Sequence, residues 1–367
     1  MNRTILYYPT IDIPKGTWLR HALLYWDEVS SIVPKDWNAN LIIEPSPEIQ
    51  YLIDEGQFRP INPEDLVFNP ANRDVFREFK EEFISTIGSQ QFQSFIRSGF
   101  STNSGRDMRG LTISLDSAIH INKISYELFH LLKDRGLAKA QDNNDSWVLF
   151  EYHTALMYMS LLAKYLAEVD GNSTTIGTDN SGYEKFNFKR VREGMPTVGI
   201  SLNNLLPSPN KNVSFETIID FKRRRADNLI NFKLIISDFQ QAIAKAGSNA
   251  EFKEIVINFQ DMMTKGVNDL QAVLKDGSLS YSFKTVKSLS SLQSPMILGL
   301  VGIGANEMFD VFNIPVIGQI AGLGVMAFVE ISAGYVDARN EQRAVLRNSP
   351  FSYIYEAQKS NIIGRKL

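Results

Sequence analysis

Near the start of the chain, the residues best suited to chemistry are carboxylates and aromatics. Asp12 and Asp27, with Glu28 beside the second, stand close to the ends of two apolar runs, and Tyr7, Tyr8 and Trp18 lie nearby in sequence. Carboxylates at strand ends are where α/β proteins place general acids, general bases and groups that hold a polar ligand. Asp12, Asp27 and Tyr8 are therefore the candidate catalytic residues, and Trp18 is a candidate pocket wall. A plainer reading competes with this one: Asp27 caps a turn and the aromatics are core. Carboxylates paired only at a sequence distance are common and unspecific, so the plainer reading carries more weight. Thr178 and Asp179, in "IGTDNSGY", would line a site from a loop or serve simply as turn residues.

A basic cluster, "FKRRRADN", places Lys222 to Arg225 on a helix, with Arg223 and Arg224 as candidate ligand contacts. Asp220 and Asp227 sit at helical ion-pair spacing from these arginines, which favours a solvated charged face over a phosphate site. Other chemistries lack their residues. The chain has no cysteine and four histidines, His21, His120, His130 and His153, none at a metal-binding spacing. Glu151 and His153 are two apart and would diverge on a helix. "GIGANE" offers Gly302 and Gly304 but has Glu307 where a dinucleotide loop needs its third glycine. No metal and no cofactor is expected.

The elements that must position these residues follow from periodicity. "TILYYP" and "DEVSSIVP" are β-type runs closed by proline, and "GTWLRHALLYW" between them has helical spacing, so the chain opens as a parallel βαβ unit. "SPEIQYLIDEG" starts a helix with Ser46 as cap and Pro47 in the first turn. "RPINPEDLVF" offers another strand. In "NRDVFREFKEEFISTIG", Val75, Phe76, Phe79, Phe83 and Ile87 form an apolar stripe. A helix ending at Gly136, a hairpin turning at "DNND" and a helix apolar almost all round follow. Helix plus hairpin is also the outline of a winged helix, but the wing is acidic and the helix carries few basic residues, which argues against nucleic acid. "DGNSTTIGTDNSGYEKFNFKRVREGMPTVG" reads as loop. From about Ser214 to Lys275 the apolar residues repeat at three and four, predicting two antiparallel helices that turn at Gly247–Asn249. The repeating residues are Ala226, Leu229, Phe232, Ile236, Phe239 and Ile243 on the first helix and Phe252, Ile255, Phe259, Met262, Val267 and Leu270 on the second.

The glycine-rich stretch from Pro295 to Gly334 has no charge between Val311 and Val329. Its apolar parts, Pro295–Ala305 and Ile314–Val329, reach only about 16 and about 24 Å as helices, against ~30 Å for a bilayer core. Gly318 and Gly322, four apart, would let a second helix backbone approach closely, so a buried helical pair is expected and membrane insertion is the alternative.

The opening, with Tyr7-Tyr8-Pro9, Trp18-Leu19, Ala22-Leu23-Leu24-Tyr25-Trp26-Asp27 and Ile32-Val33-Pro34, resembles a bacterial family known as a domain of unknown function. "LLPSPNKNVSFETIIDFKRRRADNLINF" and "LRNSPFSYIYEAQKS" resemble it too. The resemblance implies a shared fold and supplies no activity.

At 367 residues, 44% hydrophobic and 22% charged, with a formal net charge of −3, the chain has an ordinary globular composition and no global pull toward nucleic acid or anionic lipid. Cysteine-free composition and the lack of a signal-peptide pattern point to the cytoplasm, with membrane association as the alternative. The expected fold is α+β and mainly α. An N-terminal α/β portion spans 1–120, a helical region with a hairpin spans 121–205, the long helical hairpin spans 206–290, and the glycine-rich pair with a charged helix spans 291–367. The expected function is a non-catalytic bacterial interaction or scaffold protein that engages a protein partner or itself through the helical hairpin. A membrane-active effector using 295–334 is the first alternative, and an enzyme with its site at the N-terminal strand ends is the second.

Overall fold

The computed structural model describes residues 3–35 (save 9 and 12), 37, 44–92 (save 91), 115–179 (save 143, 171 and 172), 189–192, 195–198, 206–245, 249–274 and 344–363. The fold is α+β and mainly helical. The described residues form two compact units, one within Met1–Pro14 and Trp26–Ser201, the other within Lys15–Tyr25, Leu202–Ser290 and Ile303–Leu367.

The first unit is built on strands β1 (Arg3–Tyr7), β2 (Glu28–Ile32), β3 (Phe58–Ile61) and β7 (Ser173–Gly177). They make a four-stranded sheet in the order β3-β2-β1-β7, and every neighbouring pair is parallel. The parallel opening expected from the two proline-closed runs is present. Ile5, Leu6 and Tyr7 on β1 and Val29 to Ile32 on β2 are all buried, as central parallel strands covered on both faces must be. Helix α2 (Pro47–Asp54) begins after Ser46 as its proline predicts. Helix α3 (Arg73–Gly88) buries Phe79, Phe83 and Ile87 along its stripe.

Strand β4 (Leu115–His120), helix α4 (Tyr126–Asp134), and strands β5 (Ala138–Gln141) and β6 (Asn144–Glu151) come next, in an antiparallel sheet ordered β4-β6-β5. Gly136, at φ +69°, makes the turn out of α4 in a conformation that favours glycine. Helix α5 (Tyr152–Val169) is buried from Thr154 to Ala167, matching its all-round apolar sequence. Its Tyr158 and Tyr165 meet Phe79 edge-on, at centroid distances of 5.7 and 5.5 Å. The buried Lys164 donates to Glu82 of α3 at 2.6 Å, and the Tyr165 hydroxyl donates to the other carboxylate oxygen at 2.6 Å.

The segment after α5, read from sequence as loop, instead carries β7 and a hairpin of β8 (Lys189–Arg192) with β9 (Met195–Val198). Asparagine and glycine around a short β-branched run, Thr174-Thr175-Ile176, hid a strand whose pairing with β1 is a tertiary effect.

The second unit takes α1 (Thr17–Tyr25), α6 (Phe215–Arg224), α7 (Ala226–Lys245), α8 (Asn249–Val273) and α9 (Ser352–Lys359). An aromatic cluster of Tyr25, Phe221, Phe232 and Tyr353 sits at its centre. The Tyr353 hydroxyl donates to the Leu24 carbonyl at 2.6 Å, and that of Tyr25 donates to Pro207 at 2.8 Å. The helix expected through "FKRRRADN" breaks at Arg225, whose backbone leaves the helical region. Arg225 pairs instead with Glu356 at 3.0 Å. Phe239 and Phe259 stack at 4.1 Å, each 4% exposed. Met263, rather than the expected Met262, is the fully buried methionine of α8. The turn expected at Gly247–Asn249 falls largely outside the described residues, as do Gly318, Gly322 and the whole stretch 295–334. Among the described residues no helix is long and apolar enough to cross a membrane.

Two changes test this packing by chemical denaturation. Phe239→Ala is expected to cost about 3–5 kcal/mol, and a loss under about 1 kcal/mol would contradict a filled contact with Phe259. Gly266→Ala should favour α8 by propensity, yet a methyl there collides with the Phe351 ring. A net destabilisation of about 1–3 kcal/mol is expected, relieved when Phe351 is shortened to Leu.

Candidate functional site

The order β3-β2-β1-β7 sets where a ligand site belongs. From β1 the chain steps outward through β2 to β3 and returns on the other side of β1 as β7, so the direction of winding reverses between β1 and β7. In open parallel sheets the crevice at the carboxyl ends of such a pair is the place where ligands bind. Register places Tyr7 opposite Ser31 and Gly177, so all these carboxyl ends share one edge.

At that edge the Tyr7 hydroxyl donates to Asp179 Oδ1 at 2.9 Å, joining the end of β1 to the residue just beyond β7. Tyr7 is 1% exposed, whereas Asp179 is exposed. Tyr8 and Thr178 are buried beside them in sequence. The segment after β1 is held by Ser31, whose hydroxyl donates to the carbonyls of Ile11 at 2.9 Å and Thr10 at 3.2 Å. The described residues of the two strand-end segments, 8–14 and 178–179, include no lysine or arginine and no glycine-rich turn. The carboxylate, hydroxyls and backbone carbonyls described there are groups that suit a polar or cationic ligand.

The sequence candidates separate across the sheet. Tyr8 and Asp179 lie at the carboxyl edge. Asp27 lies at the amino edge, where it accepts from the Arg3 backbone N–H at 2.9 Å, and its own N–H donates to the Arg3 carbonyl at 3.0 Å. A five-residue strand, roughly 17 Å, stands between the two positions. Asp12 lies outside the described residues. Trp18 is buried on α1 in the second unit, where Arg223 and Arg224 are exposed on the last turn of α6. The expected Arg224–Asp220 ion pair is a hydrogen bond from Nε to the Asp220 carbonyl at 3.3 Å, placing positive charge at the helix C-terminus.

The amino edge is occupied by a charge network. Arg59 of β3 donates to Glu28 at 2.9 Å and, two-pronged, to Asp170 at 2.9 and 2.8 Å. Thr4 donates to Glu28 at 3.2 Å and Thr174 to Asp170 at 2.9 Å. The Asp170 hydrogen bonds and the Glu28 contact outweigh burial and raise the Arg59 pKa above its ordinary value.

Glu151 and His153 do meet, contrary to the helical expectation. Glu151 is the last residue of β6 and caps α5, so its side chain curls back over the first turn. It accepts from the backbone N–H groups of His153 and Thr154 at 2.9 and 2.7 Å, and from the Thr154 hydroxyl at 2.7 Å. His153 Nδ1 lies 3.0 Å from Oε1. Burial opposes ionisation of Glu151, but these hydrogen bonds and the helix N-terminus more than offset it and hold its pKa below the ordinary carboxylate value. A winged-helix outline is present, yet Glu127, Asp134, Asp142 and Asp145 are exposed among Lys133, Arg135 and Lys139, so the described surface carries no basic stripe. Among the described residues no group of three His, Cys, Asp or Glu side chains is placed to hold a metal ion.

A family model described as a family of unknown function (DUF6236) matches residues 75–361. The chain belongs to that family. No curated protein and no solved structure matches it. The DUF6236 match begins inside α3 and runs through α9, so it takes in β7, Asp179 and the stretches "LLPSPNKN" and "LRNSPF". Strands β1 to β3 and the Tyr7-Tyr8-Pro9 opening precede the matched residues.

The depressed Glu151 pKa has a definite sign for stability. A carboxyl whose folded pKa is below its unfolded one stabilises the fold above the unfolded pKa and loses that contribution as pH falls through the folded value. Glu151→Gln is therefore expected to lower the denaturation midpoint at pH 7, with the gap to the native chain narrowing below about pH 4.5. An unchanged gap from pH 7 to pH 3 would contradict this.

Proposed function

We propose that the protein binds a small polar or cationic molecule at the carboxyl edge of its parallel sheet, with Tyr7 and Asp179 as the contact pair. The observation that carries this reading is the 2.9 Å bond between them, which spans β1 and β7 where the winding reverses. An exposed carboxylate oriented by a buried tyrosine gives a fixed acceptor for an amine or hydroxyl. A tyrosine–carboxylate pair would also serve acid–base chemistry on such a ligand, which makes an enzyme the fuller form of the same reading.

A second reading is contact with a protein partner, or self-association, through an antiparallel hairpin of α7 and α8. It is supported by Ile230 and Leu234, one turn apart on α7 and 58% and 54% exposed, and by Ile257 on α8 at 49%. Single exposed aliphatics are ordinary on protein surfaces, so this support is the weaker of the two. The membrane-active alternative rests on 295–334, outside the described residues, and gains no support. A cytoplasmic scaffold role stands on the same footing as the second reading.

A thermal-shift screen of amines, polyols and amino acids separates the two. The native chain is expected to gain stability with one class, with Asp179→Asn and Tyr7→Phe losing the gain and the Ile230→Glu, Leu234→Glu double variant keeping it. A shift that survives Asp179→Asn would overturn the Tyr7–Asp179 site, and no shift across the screen alongside a dimer abolished by the double variant would favour the hairpin instead.

A further inference from the structure

We draw no further inference here: the strongest candidate, the Glu151–His153 pair at the start of α5, is a helix N-terminus whose carboxylate is engaged in capping, and nothing among the described residues shows what it would bind.

Discussion

A single guanidinium ties the amino edge of the parallel sheet together. Arg59 on β3 reaches Glu28 on β2 and Asp170 at the end of α5, while Thr4 on β1 and Thr174 on β7 bond to the same two carboxylates. All four strands and the helix that feeds the last of them thereby share one network. Its strength lies in geometry more than in charge. The Arg59 side chain is 34% exposed and partly screened, but Asp170 is 4% exposed and would be left buried and unpaired without it.

That anchor gives the sheet its two unlike edges. Asp170, just past the end of α5, is fixed at the amino edge, from which the chain enters β7. The polar groups of the amino edge are saturated by one another, Asp27 included, and offer a ligand little. The carboxyl edge keeps an exposed carboxylate, Asp179, steadied by the buried Tyr7. One edge holds the fold, and the other is the edge at which we propose binding.

How much of this was legible in the sequence depended on whether local pattern or distant pairing decided the outcome. The stripe Phe79, Phe83, Ile87, the Pro47 start of α2 and the all-round apolar α5 follow from local pattern and each is present, although the side chain of Ser46, the expected cap, makes no capping hydrogen bond. Strand β7 was not legible, because its short Thr-Thr-Ile run lies among turn formers and becomes a strand only by pairing with β1. Asp179 therefore looked like a loop residue. Asp27 looked like a site residue because sequence shows that a carboxylate is near a strand but not at which end of the sheet it lies. Glu151 and His153 looked divergent because helical spacing was applied across a strand–helix junction, where a cap lets two residues converge.

The most direct test is a double-mutant cycle between Arg59 and Asp170, using Arg59→Met and Asp170→Asn with stability read by urea denaturation. The account predicts that the two changes are not additive, with a coupling of about 0.5–3 kcal/mol placed toward the lower half by the exposure of Arg59. Additivity within about 0.3 kcal/mol would show that the network does not anchor the sheet, and the contrast between its edges would lose its cause.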